Sequence, residues 1–361
     1  YSGDAGAYPA GAGAADGPDT GAAEGAGRFA VLSVPDLVAE LRRAVCDPQA
    51  AEPRRRQAAR QLARLAEAGV PGADPERWWS AREPSDTRDL VAPGPVNLSP
   101  SQIEKLSECP LRAGLERLVE GTETAPQLPR GSLTPAFAEA IARGVDADEA
   151  RRVVTEAFED TLSVPSWARE NALADWKRLL DRTASWIAVR DGHFDLVGVE
   201  TDVEVPVAPD VVIRGRIDRL ECERDSGEHF VVDLKTGRNA VSVNDAEEQD
   251  QLRAYQLALS RGRVISDPDD PAAARVVAGE PHPAIGGAVL VYPGTDQKKI
   301  TTREQTAKSA EELDAFAAEL PALAEARRGP RLVAHLNPHC STCRLAPVCP
   351  AQPRGRSVTD A

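Results

Sequence analysis

The sequence predicts an α/β fold in which helices flank a mixed central sheet. Apolar residues recur at helical spacing up to about residue 190, and the period then changes to two over Phe194–Val207, Val211–Glu221 and Phe230–Thr236. Helices followed by such a three-stranded meander, and then by helix and strand, are typical of this fold class. The elements expected after the meander are a helix at about 245–260, a polar, proline-rich loop at about 261–284, a buried strand at Ala288–Tyr292 and a final helix at about 304–328.

Composition divides the chain into five stretches. Residues 1–27 include 17 Gly or Ala and cannot bury a core, so we expect them to be disordered. Helical spacing begins within 28–80, and the prolines and glycine of 81–96 indicate a linker. The main domain is expected to cover 97–351, and 352–361 to be a tail.

The main domain opens with helices. Ser99 and Gln102 form a capping box with Pro100 at the first helical position, which predicts a helix that carries Ile103 and Leu106 inward. Later helices are expected at about 135–143, 148–160 and 167–190. The last of these should bury one face, which consists of Trp176, Leu179, Leu180, Thr183, Trp186 and Ile187.

The third strand of the meander carries two candidate functional residues. Because side chains alternate along a strand, Asp233 and Lys235 project to the same side. A plain ion pair and an active site both fit this pattern. Only six of the 43 basic residues are lysines, and Asp218 lies on the hairpin-neighbouring strand beyond a turn at Gly227. Both aspartates can therefore reach the same end of the sheet.

Two carboxylates that converge beside a lysine repel each other unless a cation lies between them. Oxygen ligands of this kind suit Mg²⁺ or Mn²⁺. Such an ion polarises a phosphoryl oxygen and lowers the pKa of a bound water, and Lys235 would orient that water. Asp218, Asp233 and Lys235 therefore predict a metal-dependent phosphodiester hydrolase.

Four of the six cysteines have the spacing of ligands. Cys340, Cys343 and Cys349 are clustered, and Cys109 lies 231 residues before the first of them. Proline follows Cys109 and Cys349, as it follows a cluster cysteine in bacterial ferredoxins. An iron–sulfur cluster and a zinc site remain the alternatives, although zinc usually uses two short C-x-x-C pairs. The remaining two thiols, Cys46 and Cys222, fit no ligand spacing.

Bulk properties limit the partners and the compartment. A net charge of −14 is unfavourable for binding a polyanion, so DNA binding would need a locally basic groove or basic partner domains. The chain has no methionine, no secretion signal and no run of about 18 apolar residues. We expect a piece of a longer cytoplasmic polypeptide. Either a DNA-facing patch or a solvated helix face explains the arginines Arg54, Arg55, Arg56, Arg60 and Arg64.

The sequence segments around the two aspartates resemble those of a known family. Asp-(x14)-Asp-x-Lys on adjacent strands resembles the PD-(D/E)xK nuclease superfamily, and "GRIDRL", "VVDLKTG" and "QLRAYQLAL" resemble the nuclease domain of RecB- and AddB-type helicase–nucleases. The resemblance implies a restriction-endonuclease-like core in which Asp218 and Asp233 bind the metal and Lys235 is catalytic. It also implies that Gln251 and Tyr255, which share a helix face, support the site and the DNA strand; a plain core role is the alternative for Tyr255.

The cysteines and the flanking segments extend this resemblance. The four thiols resemble the iron staple of AddB-type nucleases, which implies a 4Fe–4S cluster on Cys109, Cys340, Cys343 and Cys349. Residues 28–350 are similar to actinobacterial AdnAB-type subunits, which implies that 28–80 is a remnant of an upstream helicase region. The implied role is exonuclease or endonuclease action on single-stranded ends during double-strand break repair by recombination. The implied partners are an UvrD-like ATPase in the same polypeptide and a second helicase–nuclease subunit; the chain itself has no phosphate loop.

One departure from the family qualifies the expectation of activity. Members usually carry a metal-ligating His in a segment that matches Gly131–Ala136, and Pro135 stands at that position. Glu200 or Glu204 on the preceding strand could compensate. The alternative function is a catalytically weakened module that guides single-stranded DNA and binds a partner subunit.

Overall fold

The computed structural model describes residues 33–78, 88–119, 128–295, 297 and 299–352. The predicted disordered segment 1–27 and most of the predicted tail lie outside these residues. The chain falls into two compact units, one up to Arg82 and one from Glu83 onward. None of the described helices is long and apolar enough to cross a membrane.

The first unit is a small helical structure with its own core. Helix α1 spans Val34–Cys46, helix α2 spans Glu52–Glu67, and a 3₁₀ turn follows at Pro75–Arg77. Ser33 caps α1 by accepting a hydrogen bond from the Asp36 amide. The core of the unit consists of Val38, Leu62, Ala73 and Trp78. The five arginines of α2 are exposed, which is compatible with both interpretations of that face.

The second unit contains eight α-helices among its described residues, and a 3₁₀ turn at Pro338–Thr342. The predicted capping box is present at the start of the first of them, with Ser99 and Gln102 bonding reciprocally. The helices are α3 Pro100–Glu108, α4 Pro110–Val119, α5 Leu128–Ala142, α6 Ala147–Thr161, α7 Ser166–Arg190, α8 Val243–Glu247, α9 Asp250–Arg261 and α10 Ala310–Arg328.

The predicted mixed central sheet is confirmed, and it is larger than expected. The strands are β1 Val96–Leu98, β2 Phe194–Ala208, β3 Val211–Glu223, β4 His229–Leu234, β5 Gly262–Asp267, β6 Asp270–Ala278, β7 Ile285–Tyr292 and β8 Thr301–Thr306. Their order in the sheet is β5-β6-β2-β3-β4-β7-β8, with β1 paired to β3. The pairs β1/β3, β2/β6 and β4/β7 are parallel and the others antiparallel.

Helices cover both faces of the sheet. On one face, α3, α9 and α10 pack over Ile217, Leu220 and Val231. On the other, Trp186 and Ile187 of α7 pack on β4 and β7. All six α7 residues expected in the core are buried. Since a buried large apolar side chain contributes roughly 1.5–3 kcal/mol, this stripe holds α7 firmly against the sheet and against α5 and α6.

The structure corrects three expectations. The loop expected at 261–284 is wrong, because most of it is the β5–β6 hairpin. Its β-branched residues outweigh Pro268 at the turn and Pro271 at the start of β6, and Pro281 and Pro283 lie beyond the hairpin. The single helix expected at 245–260 is broken into α8 and α9. The final helix begins later than 304, at a second capping box formed by Ser309 and Glu312, since Thr301–Thr306 pairs with β7 as β8.

Candidate active site

At the end of β4 a carboxylate and an ammonium group are in direct contact. The Lys235 amide donates to the Val291 carbonyl at 2.8 Å, so pairing with β7 continues one residue beyond β4. Lys235 Nζ lies 2.9 Å from Asp233 Oδ2. Asp233 is only 5% exposed. The two side chains therefore meet on the face predicted from strand alternation.

Gln251 ties this pair together. It lies in the first turn of α9, where its Nε2 donates to Asp233 Oδ1 and its Oε1 accepts from Lys235 Nζ, both at 2.8 Å. Only one orientation of the amide satisfies both neighbours, since a flipped amide would face an acid with its oxygen. Gln251 thus fixes the carboxylate and the ammonium relative to each other.

Asp218 reaches the same place from the adjacent strand. Its Oδ2 accepts a hydrogen bond from the Leu234 amide at 2.7 Å. Ile217 and Leu220 both lie in the core under α9 although two residues separate them, whereas strict alternation would place them on opposite faces, so the alternation shifts at Asp218. Burial and the charge of Asp233 raise the pKa of Asp218 to about 8, against the opposing effect of the Leu234 amide.

Glu200 lies on β2 opposite the point at which the alternation of faces on β3 shifts. The pairs Val199–Arg219 and Thr201–Ile217 flank it, which places Glu200 across from Asp218. Its φ of 47° is in the left-handed region, a conformation that costs a non-glycine residue about 1–3 kcal/mol and clusters at functional sites. Burial raises the pKa of Glu200, and its charge in turn raises that of Asp218.

The structure separates the two acids considered as substitutes for the missing His. Glu204 is exposed, and its Oε2 lies 3.7 Å from Arg214 Nε. Glu200 is half-buried and close enough to act on Asp218, although Arg216 Nη1 lies 3.5 Å from its Oε2. Glu200 is therefore the acid placed at the site.

Tyr255 lies in the core and also holds the strand of Asp218. It is 5% exposed, and its hydroxyl donates to the Arg216 carbonyl at 2.6 Å. Burial raises the pKa of this hydroxyl, and the carboxylates of Asp233 and Asp218 raise it further. Tyr255 thus packs in the core and braces β3 two residues before the acid, while support of a DNA strand stays a prediction.

Glu104 is a site residue that the sequence did not suggest. It lies on α3, where its Oε1 accepts from Gln249 Nε2 at 2.8 Å. Burial raises the pKa of Glu104, the Gln249 hydrogen bond and Lys235 oppose this rise, and Asp233 adds to it. The capping box predicted α3 itself, but nothing in the sequence places that helix against the segment before α9.

Pro135 lies inside α5, on the element that approaches Glu200. Its ring has no atom that could ligate a metal ion, as expected from the sequence. Glu139, one turn later, raises the pKa of Glu200 through its negative charge. The position where the family resemblance implies a ligating His is thus followed, one turn later, by a carboxylate whose charge acts on Glu200, a second contributor that the sequence did not suggest.

The acids fit a divalent cation. Asp233 Oδ2 is buried and accepts no properly oriented hydrogen bond, although Lys235 Nζ is close. Among the described residues, no three His, Cys, Asp or Glu side chains are grouped so as to hold a metal. Two carboxylates with the remaining positions open match Mg²⁺, which protein usually binds through one or two carboxylates together with water and substrate phosphates.

The four candidate ligand cysteines line one pocket at the α3–α4 junction. They are Cys109, Cys340, Cys343 and Cys349. The C-terminal segment is held there by hydrogen bonds from the Leu111 amide to the Val333 carbonyl and from Asn337 Nδ2 to the Glu108 carbonyl. The thiols surround the pocket without reaching a metal-holding arrangement in the described part of the chain.

Comparisons with known proteins identify the second unit. Residues 97–350 match a family model described as the PD-(D/E)XK nuclease superfamily. No curated protein matches the chain. Among solved structures, it is similar to the crystal structure of SSO0001, with 16% sequence identity, a TM-score of 0.33 and coverage of 73% of this chain and 90% of that one. At that TM-score the likeness supports no functional argument.

Proposed function

Because the chain belongs to the PD-(D/E)XK nuclease superfamily, we propose that it hydrolyses DNA phosphodiesters with Mg²⁺ or Mn²⁺. The observation that carries this proposal is the meeting of Asp218, Asp233 and Lys235 at one edge of the sheet, with Gln251 bonded to two of them. A structural ion pair alone would not require a second acid with a raised pKa beside it.

In this proposal Asp218 and Asp233 hold the cation. A bound Mg²⁺ or Mn²⁺ would polarise the scissile phosphate and acidify a water molecule. Asp218 must lose its proton to become a ligand, and the pKa of about 8 makes this loss unfavourable at lower pH. Glu200 and Glu104 add negative charge around the two ligands.

Lys235 acts as a proton donor in a hydrogen bond rather than as a base. Burial alone would lower the pKa of its ammonium, but Asp233 outweighs burial, with help from Glu104 and Asp218, and raises it. The ammonium therefore stays charged. It can orient the attacking water and offset the negative charge that develops on the phosphate.

We also propose that Cys109, Cys340, Cys343 and Cys349 bind a 4Fe–4S cluster. Their convergence on one pocket from distant parts of the sequence supports this assignment, as does the hydrogen bond from the Asn337 amide to Cys340 Sγ at 3.3 Å. The alternative is a zinc ion bound by the four thiolates. Iron and sulfide in the purified protein, with broad visible absorption, would support the cluster, whereas stoichiometric zinc without sulfide would contradict it.

The biological setting we infer is a helicase–nuclease that processes DNA double-strand breaks for recombinational repair in the cytoplasm. The similarity of residues 28–350 to AdnAB-type subunits supports it, with an UvrD-like ATPase in the same polypeptide and a second subunit as partners. The substrate would then be single-stranded ends delivered by the motor.

Cleavage of single-stranded DNA by wild type and Asp233→Ala, in Mg²⁺, Mn²⁺ and chelator, tests the function. We expect metal-dependent cleavage that falls roughly 10²–10³-fold or more in the variant, since preorganised electrostatic stabilisation at the scissile phosphate is removed. Equal cleavage by the two proteins would refute the assignment.

Pro135 favours a second candidate, a weakened module that guides single-stranded DNA and holds a partner subunit. It predicts that wild type binds DNA but does not cleave it with either metal. Robust cleavage by the wild-type protein would exclude this candidate.

A further inference from the structure

A pocket at the edge of the sheet gathers four guanidinium groups. Those of Arg130, Arg178, Arg182 and Arg238 line it, together with Asp175 and the turn at 293–295. One carboxylate thus faces four cations. In a chain with a net charge of −14 such a concentration of positive charge is exceptional.

Asp175 is shared between two of these arginines. Its Oδ2 lies 2.6 Å from Arg238 Nη2, and its Oδ1 pairs with Arg178. Arg178 and Arg238 are 60% and 57% exposed at their side chains, so both keep donors free for a ligand. One acid between two arginines leaves one positive charge uncompensated.

The other two arginines add to this excess. Arg182 donates to the carbonyls of Pro293, Thr295 and Gln297, which are neutral acceptors, so it fixes the turn while keeping its charge. Arg130 has one long hydrogen bond, 3.4 Å to the Ala172 carbonyl. Burial lowers the pKa of Arg130, Asp175 opposes this and Arg238 adds to it, which shows that the guanidinium groups act on one another.

The pocket lies close along the chain to the proposed catalytic residues. Arg238 follows Lys235 by three residues, which span at most about 11 Å between Cα atoms. A Cβ on Gly294 would lie 2.9 Å from the Thr236 carbonyl oxygen, so the 293–295 turn rests directly on the connecting segment. Because β4 and β7 are parallel, their carboxyl ends bring this turn and Lys235 to the same edge of the sheet.

We propose that the arginine pocket, defined by Arg130, Arg178, Arg182 and Arg238, binds an internal phosphodiester of the DNA strand whose neighbouring phosphate lies at Asp218 and Asp233. This inference rests on the proposed nuclease function. Guanidinium groups match phosphate oxygens in paired hydrogen bonds. A phosphate held here places the strand in register with the acids without reading its sequence.

The experiment measures binding of a short single-stranded DNA with hydroxyl ends to the full chain in chelator, over a salt series. We expect Arg178→Gln/Arg238→Gln to weaken binding several-fold at low salt. The slope of log K against log salt should also become shallower, by about 0.7 for each phosphate that the variant no longer neutralises. The matched control Arg169→Gln/Lys177→Gln removes two charges from α7 without touching the pocket, and should bind as wild type.

Asp175→Asn should change the affinity for DNA in the opposite direction. Removing the acid frees both exposed arginines, so binding should tighten, whereas a purely structural ion-pair cluster would predict unchanged or weaker binding. Unfolding temperatures of all variants establish that they are folded.

Several outcomes would overturn the proposal: equal binding by the double variant and its control, unchanged or weaker binding by Asp175→Asn, or no DNA binding by wild type. If binding weakened only with a terminally phosphorylated strand, or if inorganic phosphate competed for the pocket as well as the DNA strand does, the pocket would bind a different source of phosphate. Either result would contradict an internal phosphodiester as its occupant. Binding that follows these expectations without any cleavage by wild type would instead refute the nuclease function alone.

Discussion

The acid–lysine site and the cysteine pocket are built in contrasting ways. Asp218, Asp233 and Lys235 come from two neighbouring strands and are joined by contacts of 2.7–2.9 Å. The cysteines come from the start and the end of the second unit. These segments are held together by backbone and Asn337 hydrogen bonds and by a contact of 3.4 Å between His339 Nε2 and Glu108 Oε1. The first site is organised by the sheet before any metal binds. In the second site the thiols lie near one another, and a bound metal or cluster would complete the link between the two segments.

The contrast predicts that losing a ligand has different consequences at the two places. Cys109→Ser should lower the free energy of unfolding by about 2–5 kcal/mol, by analogy with the loss of a crosslink that closes a long loop. Chemical denaturation measures this. Cys222→Ser, which changes a partly exposed thiol on β3 that is not among the pocket's lining residues, is the control and should differ little from wild type. Equal stability of the two variants would contradict a crosslinking role for Cys109.

The bridging amide should matter for activity more than for folding. Gln251→Ala is expected to lower kcat/KM about 10–100-fold, the usual cost of losing a residue that orients metal ligands. Steady-state cleavage assays measure it. Gln249→Ala removes a nearby amide that bonds Glu104 instead, and a smaller loss is expected there. A larger loss at Gln249 would show that Glu104, rather than the Asp233–Lys235 pair, is the sensitive part of the site.

Protonation should reveal the crowding of acids at the strand end. The pKa of Asp218 is about 8 in the folded protein and about 3.9 when unfolded, so the folded state holds an extra proton between these values. The free energy of unfolding therefore falls as pH rises through this window. In chelator, the unfolding temperature should be lower at about pH 8 than at about pH 5, and Mg²⁺ should offset the difference. Asp218→Asn should reduce the pH dependence; an undiminished dependence would place the titrating group elsewhere.

Much of the site could be predicted because it depends on local rules. Strand alternation places Asp233 beside Lys235, and a hairpin turn with Gly227 brings Asp218 alongside. Gln251 follows on the next long helix. These relations involve neighbouring elements, so spacing along the sequence carries them. The apolar stripe of α7 was predictable for the same reason.

What could not be predicted depends on how distant elements pack. Glu104 meets the site only because α3 lies against α9, and the arginines of α5 and α7 meet Arg238 only through the sheet edge. The β5–β6 hairpin was hidden because prolines at its turn resemble a loop signal. The left-handed backbone at Glu200 has no sequence signature, since glycine or asparagine would normally mark such a position.

The left-handed backbone at Glu200 also bears on the stability of the fold. A residue held in an unfavourable conformation beside mutually repelling carboxylates makes the apo protein less stable than its core would allow. A divalent cation would relieve the repulsion and so act as a ligand of the native state, with stability rising logarithmically with its concentration. Magnesium in the cell would then set how much of this protein is folded as well as how fast it cuts.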